Sequence, residues 1–431
     1  MKKYPIQSER LYLRSPNINV CFRAIIDTPL EKEKIEEAVK KVCIRHPLLG
    51  YSIEIDNDNN AWFVKKDRLI NIEYYKSDEM DWQAWYKRAD SIPFDFLNGS
   101  LLRICVIKDE NTEIIFLGHH IIGDGIGYLN LVKDFLLALD NRIDIKPQLP
   151  PFEAADKYFK ETVLLDSGVE SFAKNLNEEW KKSRRQFSET DYRTFFTQYR
   201  NKYISNLYMA SIEGENLQKI MEKSKLNGFT INDIIASAFS VAAMEALNCS
   251  EIRLGVAANI RNELVSEPNE CMGNFVTGIS VKAQLNRSND FISNANEIRS
   301  LLQDKLKNAK NKHLAVHFMN VFDRDLIEST MYAAYGDFDH HVSKKLAELM
   351  GEQTENKGLG ISNLGRYNIC EYRNFNILDI QFIGPAFPAN LLTVDIITVN
   401  NKLNLCLRYN EVEINTNTIK IICERAIGCL N

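Results

Sequence analysis

The sequence predicts a mixed α/β (α+β) protein built from two lobes. The chain has 431 residues, of which 45% are hydrophobic and 26% charged. This is the composition of a globular protein, and the length suggests two to three domains at about 150 residues each. Strand-like and helix-like patterns alternate in the first third, and the second half has the same mixed character. Two halves of similar composition indicate two related α/β lobes.

Strand patterns in the first half are recognised by β-branched and apolar residues that lie between turn residues. They lie at residues 20–27, 50–55, 62–65, 101–107 and 113–117. A helix is predicted over about 30–45, because acidic residues lie near its start and apolar residues recur at 3.6-residue spacing. Pro47 ends this helix. A second helix is predicted from about Ile126, after a glycine-bearing loop that follows a strand, and such loops often carry chemistry.

The second half begins with a helix whose start is marked by Thr230, an N-cap residue that precedes an apolar run from Ile231. A charged helix is predicted over about 290–310, and a last helix near about 418–427. Strands are predicted at residues 252–258, 277–285, 391–399, 403–409 and 412–414.

The boundary between the lobes is predicted between about residues 150 and 200. Prolines break the periodicity over 147–160, and the segment that follows is dense in charged residues and Gln. We therefore expect an N-terminal lobe over 1–170, a linker region over 171–200 and a C-terminal lobe over 201–431. The basic cluster at 181–185 fits a solvated helix face, and a docking patch for an acidic partner is the alternative.

The charge and cysteine content argue against several classes of protein. Basic and acidic residues number 53 and 58, for a net charge of -5, whereas proteins that bind nucleic acid concentrate basic charge. The nine cysteines include no CxxC pair, so no zinc knuckle is predicted and a reducing compartment is favoured. Charged residues interrupt the N-terminal segment, and no run approaches the roughly 18 apolar residues of a spanning helix. We expect a cytoplasmic protein without a signal peptide or transmembrane segment.

The feature that points to chemistry is the segment HHIIGDG at residues 119–125. Adjacent residues at the end of an extended strand point to opposite sides, so His119 and His120 cannot have the same role. The glycines that flank Asp124 allow backbone angles or a close approach that a Cβ would hinder. An imidazole with its ordinary pKa of about 6.5 can take a proton at neutral pH and return it, which is the task of a general base.

Two other interpretations of the histidine pair remain open. The first is a metal site, but HHxxxD leaves only one oxygen ligand, and no HExxH motif or cysteine pair completes a set. His313 and His317 are four residues apart and also lack carboxylates at matching positions, so no metal site is predicted. The second is a pair of buried structural histidines. A general base is favoured, because the paired histidines and both glycines occur together.

The HHxxxDG motif resembles the signature of the chloramphenicol-acetyltransferase-like superfamily. This superfamily includes nonribosomal-peptide condensation domains, polyketide-associated acyltransferases and alcohol O-acetyltransferases. Further matching segments run in the expected order over nearly the whole chain. They are RHPLL at 45–49, PFD at 93–95, NIR at 259–261, MGNF at 272–275 and SNLG at 362–365. Gly50 departs from the usual Arg after the first of them, and the DFGWG motif of the plant branch is absent.

The resemblance implies two chloramphenicol-acetyltransferase-like lobes with mixed sheets and a tunnel between them. His120 would take the proton of the acceptor as it attacks a thioester, with no covalent acyl-enzyme. Asp124 would form a salt bridge with Arg261 that supports the site, and a surface position for Arg261 is the alternative. His119 and Gly125 would also support the site, with Gly125 leaving room for a pantetheine arm.

The resemblance also implies residues and molecules that contact the site. Asn274 of the MGNF segment, Ser362 and Asn363 are candidate substrate-binding residues, and a plain turn is an equal alternative for the last two. No bound cofactor is expected, since acyl-CoA or a phosphopantetheinyl thioester would be the co-substrate. The expected partners are a small-molecule acyl donor and an alcohol or amine acceptor, with an acyl carrier protein as a further candidate. Nucleic acid is not expected, and a monomer is favoured because both lobes lie in one chain.

Three functions are therefore carried forward. The favoured one is an acyl-CoA-dependent O-acyltransferase similar to alcohol acetyltransferases. The second is a stand-alone condensation enzyme that uses carrier-protein thioesters to form an amide or an ester. The third is a non-catalytic module that binds a carrier or lipid, against which the intact HHxxxDG motif argues.

Overall fold

Three β-sheets with helices packed around them make up the described part of the chain. The computed structural model describes residues 3–6, 8–66, 69–150, 159–161, 163–352 and 357–430. The strands are β1 (Lys3–Pro5), β2 (Asn19–Ile26), β3 (Tyr51–Ile55), β4 (Ala61–Lys65), β5 (Asn71–Lys76), β6 (Leu102–Lys108), β7 (Thr112–His119), β8 (Ser205–Glu213), β9 (Glu251–Asn259), β10 (Val276–Gln284), β11 (Gly358–Tyr367), β12 (Ile377–Ile383), β13 (Asn390–Val399) and β14 (Lys402–Asn410). The α-helices are α1 (Lys32–Arg45), α2 (Trp82–Asp90), α3 (Gly125–Leu139), α4 (Ser167–Lys182), α5 (Glu189–Lys202), α6 (Gly214–Leu226), α7 (Ile231–Ala246), α8 (Phe291–Leu306), α9 (Ala309–Asn320), α10 (Arg324–Ala334), α11 (His341–Leu349) and α12 (Thr416–Leu430).

The two larger sheets are mixed, which confirms the predicted fold class. The five-stranded sheet has the order β12-β2-β7-β6-β5, and its β5–β6 pair is parallel. The six-stranded sheet has the order β10-β9-β11-β13-β14-β8, with β11 parallel to both neighbours. A small antiparallel sheet, β1-β4-β3, completes the first half. Helices pack on each large sheet, so each half of the chain has an apolar core of its own, and α2 packs on the second face of the five-stranded sheet.

Strand β12 crosses between the two halves of the chain. It comes from the segment expected to form the C-terminal lobe, yet it pairs antiparallel with β2 at the edge of the five-stranded sheet. The register places Phe382 beside Phe22, and their rings lie 5.1 Å apart. The second half of the chain therefore completes the sheet that carries the histidine motif.

The segment 171–200, expected to be a linker region, consists mainly of α4 and α5. Both helices bury aromatic residues against α10 and α11 in an apolar cluster of their own, with Trp180 and Phe195 among its members. A segment with this much buried apolar surface is held in place rather than free to swing. The lobe boundaries at 170 and 200 stay a prediction.

Residues 412–414 are not a strand, so that sequence prediction was wrong. They form a turn between β14 and α12. Asn410 organises the turn, because its Oδ1 accepts the N–H of Val412 and its carbonyl accepts the N–H of Ile414. Ile414 is buried in the core of the second half. Its apolar character therefore serves packing and not β-pairing.

Several elements had no clear sequence signal. Strand β11 begins GLGISNLG, and a segment so rich in Gly, Ser and Asn is typical of a turn. It is nonetheless the central strand between β9 and β13, because small residues allow the neighbouring strands to approach closely.

The helix predicted after Thr230 is confirmed, and a capping box between Thr230 and Asp233 fixes its start.

Two buried ion-pair groups join distant parts of the chain. Glu328 of α10 accepts hydrogen bonds from Arg10 at 2.8 Å and from Arg14 at 2.8 Å, and its side chain is fully buried. In the second group, Asp90 contacts Arg200 at 2.8 Å and Arg408 at 3.4 Å. None of the helices within the described ranges is long and apolar enough to cross a membrane.

Candidate active site

His119 and His120 lie where β7 ends, and their side chains point in different directions. His119 Nδ1 accepts the N–H of Ile121 at 3.2 Å. Its ring packs edge-on against Phe94 and Phe96, with ring centroids 5.7 and 5.0 Å away. Burial lowers the pKa of His119 to about 3, so this imidazole stays neutral. The arrangement gives His119 a packing role behind the site.

His120 begins a short 3-10 helix and lines a cavity instead. Its ring centroid lies 4.4 Å from that of Tyr12, and 4% of the residue is exposed. Its Nδ1 has no hydrogen-bond partner among the described residues. Burial lowers the pKa of His120, while the nearby charge of Asp124 opposes that shift. At neutral pH this imidazole is therefore uncharged and able to accept a proton.

Asp124 caps α3 and binds Arg261 through both carboxylate oxygens. Oδ2 accepts from Arg261 Nη1 at 2.8 Å, and Oδ1 accepts from Nη2 at 2.8 Å. The N–H groups of Gly127 and Phe275 donate to the same carboxylate, each at 2.8 Å. Burial alone would raise the pKa of Asp124, but the Arg261 charge and these donors hold it below its ordinary value. Both side chains are almost fully buried, so the pair fixes the loop that follows His120.

Gly125 is required by a close approach. A Cβ at this position would lie 2.8 Å from Leu364 Cδ2 and 3.1 Å from Phe382 Cζ. The absence of a side chain lets Leu364 of β11 and Phe382 of β12 pack closely against the start of α3, where Gly125 and Phe382 line the cavity. Gly123 has φ 179°, which is ordinary extended backbone. The motif therefore needs its second glycine for space, and the first is not required by its backbone angle.

A cavity of about 550 Å³ lies between the two large sheets. Its lining includes His120 and Gly125 from the first half, and Asn274 and Ser362 from the second. The Asn274 side-chain amide donates to the carbonyl of His120 at 2.7 Å and also contacts the carbonyl of Ile121. Asn274 thus holds the histidine loop across the junction of the two halves.

The structure does not bring Asn363 to the described lining of this cavity. Its Oδ1 accepts the N–H of Gly365 at 2.8 Å, and Gly365 has φ 76° at an irregularity in the pairing of β11 with β13. Ser362 is the residue of this segment that borders the cavity. The two candidates therefore separate, with Asn363 at the irregularity of β11 and Ser362 at the cavity wall.

Sequence reasoning missed several cavity residues. Tyr12 and Glu352 have no motif, and only the tertiary fold brings them to the cavity. Asp395 offered a signal, because it is a single carboxylic acid inside the apolar strand LLTVDIITV. Among the described residues, no group of three His, Cys, Asp or Glu side chains is arranged to hold a metal ion.

Comparisons with known proteins agree with this geometry. The family model described as "Condensation domain" matches residues 10–314, which is more than half of the chain. Bacitracin synthase 1 of Bacillus licheniformis is 24% identical over 284 residues, which cover 62% of this chain and 5% of that protein. The chain thus spans only a small fraction of the length of the curated relatives it matches.

Two solved structures share the fold over nearly the full length of the chain. The first condensation domain of the CDA synthetase superposes with a TM-score of 0.66 at 10% identity, covering 100% of this chain and 95% of that one. The trichothecene 15-O-acetyltransferase of Fusarium sporotrichioides gives a TM-score of 0.68 at 12% identity, covering 99% and 94%. At such identities the likeness establishes the fold, and the family follows from the match over residues 10–314. The chain belongs to the condensation domain family.

Proposed function

We propose that the chain is an acyltransferase that moves an acyl group from acyl-CoA to a hydroxyl acceptor, with His120 as the general base. The observation that carries the proposal is the position of an uncharged, buried imidazole on the wall of a cavity between two lobes. A base in this state accepts a proton without first having to lose one. Membership of the condensation domain family supports acyl transfer as the reaction class.

The reaction proceeds by direct attack. The acceptor oxygen bonds to the thioester carbonyl carbon as its proton passes to His120. The resulting tetrahedral intermediate collapses, the C–S bond breaks, and the thiolate takes the proton back from His120. No covalent acyl-enzyme forms, and every proton is returned.

The remaining site residues position this base. Asp124 and Arg261 fix the loop after His120. The reaction rate falls steeply when a general base is displaced from its correct geometry. Asn274 Nδ2 supports the loop through backbone carbonyls, while its Oδ1 has no hydrogen-bond partner among the described residues and can accept from a substrate in the cavity. The Ser362 hydroxyl borders the cavity and can donate to the carbonyl oxygen as negative charge develops there.

A second candidate is a stand-alone condensation enzyme that takes its acyl group from a phosphopantetheinyl carrier protein and forms an amide or an ester. The family match and the similarity to bacitracin synthase 1 favour it. The same base and cavity serve both reactions, since both donors are thioesters. The two candidates differ in the donor that the protein accepts.

The test is release of free thiol from acetyl-, hexanoyl- and palmitoyl-CoA, with and without small alcohols and amines. Acceptor-dependent release should fall at least ~100-fold in His120→Ala, the loss expected when a general base is removed. His341→Ala is the matched control, because His341 is exposed at the start of α11. Release that survives in His120→Ala would contradict the proposal. Turnover with an acylated carrier protein but with no CoA thioester would select the second candidate.

A further inference from the structure

One wall of the cavity is the face of the six-stranded sheet that is turned away from α7 and α8. On β9, Leu254 packs into the core with α7, whereas Gly255 borders the cavity. Small residues recur at such positions, with Gly278 on β10 and Gly360 on β11. They leave open space in front of the sheet, and the polar groups beside it decide what can bind there.

Asp395 on β13 lies on this wall, and 1% of the residue is exposed. Its Oδ2 accepts the N–H of Gly384 at 2.7 Å. Its Oδ1 is buried and has no hydrogen-bond partner among the described residues. The charged and titratable groups that face it are Arg408 and Cys406 of β14, and Arg408 donates to the carbonyl of Gly384 and to Asp90. Burial raises the pKa of Asp395 to about 7.

Glu352 adds a second carboxyl group to the same cavity. Its Oε2 is buried without a hydrogen-bond partner in the described part of the chain. Burial raises the pKa of Glu352 to about 7, and the charge of Arg253 opposes that shift. Tyr12 and Tyr335 are the other titratable groups that it faces. The charged residues of the described lining are three carboxylic acids and one guanidinium, so the cavity favours positive charge.

A buried carboxylate oxygen without a partner is costly, and a ligand that donates to it recovers that free energy. An ammonium group carries three donors and a full positive charge, so it matches a buried carboxyl group such as that of Asp395. CoA and pantetheine do not supply such a group, because they carry neutral amides and anionic phosphates. The acetyl and longer alkyl acyl groups of the proposed reaction are uncharged, so the acceptor is the substrate that remains.

We propose that the acceptor carries a protonated amine apart from its nucleophilic atom, and that Asp395 binds this ammonium while Glu352 adds negative charge to the same cavity. The acceptor class is therefore an amino alcohol or a diamine. The identification of this ligand as the acceptor substrate rests on the proposed function. The ammonium site itself can be tested without turnover. Binding of the cation stabilises the ionised carboxylates, so protons leave the protein as the ligand binds near neutral pH.

The first experiment compares aminopentanol with pentanol as acceptors in the thiol-release assay. The wild type should show kcat/KM at least ~10-fold higher for aminopentanol, as expected for one charge-assisted hydrogen bond. Asp395→Asn keeps an oxygen for the N–H of Gly384, and it should bring this ratio close to one. Asp339→Asn, which removes an exposed carboxylate paired with Lys344, should leave the ratio unchanged. An unchanged ratio in Asp395→Asn, or no preference in the wild type, would overturn the inference.

The second experiment separates this inference from the proposed function. Calorimetric titration of His120→Ala with aminopentanol, in buffers of different ionisation enthalpy, should show binding with release of protons, and pentanol should bind more weakly. This result supports the ammonium site even if no acceptor releases thiol. Equal binding of both alcohols without proton release would overturn it.

Glu352→Gln is the second variant if Asp395→Asn does not fold, and it should also reduce the preference for aminopentanol over pentanol. A final comparison uses glycyl-CoA and acetyl-CoA as donors with pentanol as acceptor. If the wild type prefers glycyl-CoA and Asp395→Asn loses this preference, the ammonium group belongs to the donor and the proposal is wrong.

Discussion

Arg261 donates to both carboxylate oxygens of Asp124, each at 2.8 Å, in a pair that is almost fully buried. Asp124 follows the histidine pair by four residues, while Arg261 comes from the end of β9 in the other half of the chain. The position of the His120 imidazole thus depends on a contact across the junction of the two halves. Breaking this contact should affect both stability and catalysis.

Asp124→Asn should lower the free energy of unfolding by about 3–5 kcal/mol, because it leaves the buried guanidinium of Arg261 without its counter-charge. It should also lower kcat, since the loop that carries His120 loses a fixed anchor. Urea denaturation and thiol release measure the two effects. Asp339→Asn removes an exposed carboxylate and should change neither. Equal behaviour of the two variants would show that the Asp124–Arg261 pair does not hold the site.

When kcat/KM is plotted against pH, the acid limb should lie at a pH below the ordinary pKa of histidine. Burial lowers the pKa of His120, so the imidazole stays unprotonated as the pH falls and the rate is lost only at more acidic pH. The charge of Asp124 opposes this shift, so Asp124→Asn should move the limb to still lower pH. Measurement of kcat/KM between about pH 4.5 and 8 tests both statements. A limb at or above about pH 6.5 would contradict the assignment of His120 as a buried neutral base.

The local part of the site could be predicted from the sequence, because its signals lie within a few residues of one another. Strand alternation correctly separates His119 from His120, and the strand, loop and helix around them follow from short-range patterns. The segments NIR and MGNF lie in the second half, yet both reach the motif, with Arg261 on Asp124 and Asn274 on His120. The first contact was expected from the family resemblance and not from any periodicity. The second was not expected, because Asn274 was predicted to bind substrate.

The remaining features depend on tertiary packing, which no local pattern encodes. Strand β12 pairs with β2 although several hundred residues separate them along the chain, and the sequence of β12 does not indicate which strand it pairs with. Tyr12 and Asp395 border the same cavity although almost the whole chain separates them. The false strand at 412–414 shows the converse, because apolar character at Ile414 served burial alone. Cavity walls are therefore the part of a site that sequence patterns describe least.

Gly125→Ala should fold normally but displace the side chains that pack beside the histidine loop. The new Cβ would lie 2.8 Å from Leu364 Cδ2, which is the end of a flexible side chain and can move aside. We expect kcat/KM for acyl-CoA to fall about 10-fold, because a displacement near 1 Å in a site is enough to misplace a substrate. Adding Leu364→Ala to Gly125→Ala should restore most of the rate. A double variant no better than the single one would show that Gly125 serves another purpose.

Glu328→Gln should weaken the fold and the site together. Glu328 lies buried between Arg10 and Arg14, so the neutral isostere leaves two guanidinium groups without a counter-charge. A loss of about 3–5 kcal/mol in the free energy of unfolding is expected. Tyr12 lies between the two arginines in the chain, and its ring packs on His120 at 4.4 Å, so kcat should fall as well.

The matched control for this variant is Glu54→Gln. Glu54 also contacts two cations, Lys3 and Lys66, but at the surface, where such pairs contribute about 1 kcal/mol or less. Urea denaturation should separate the two variants clearly, and thiol release should fall only in Glu328→Gln. If Glu328→Gln lost stability but kept the wild-type rate below its unfolding transition, the segment that carries Tyr12 would not be what holds the base. A loss of rate at temperatures where the fold remains intact would tie the buried Arg10–Glu328–Arg14 group directly to the position of His120.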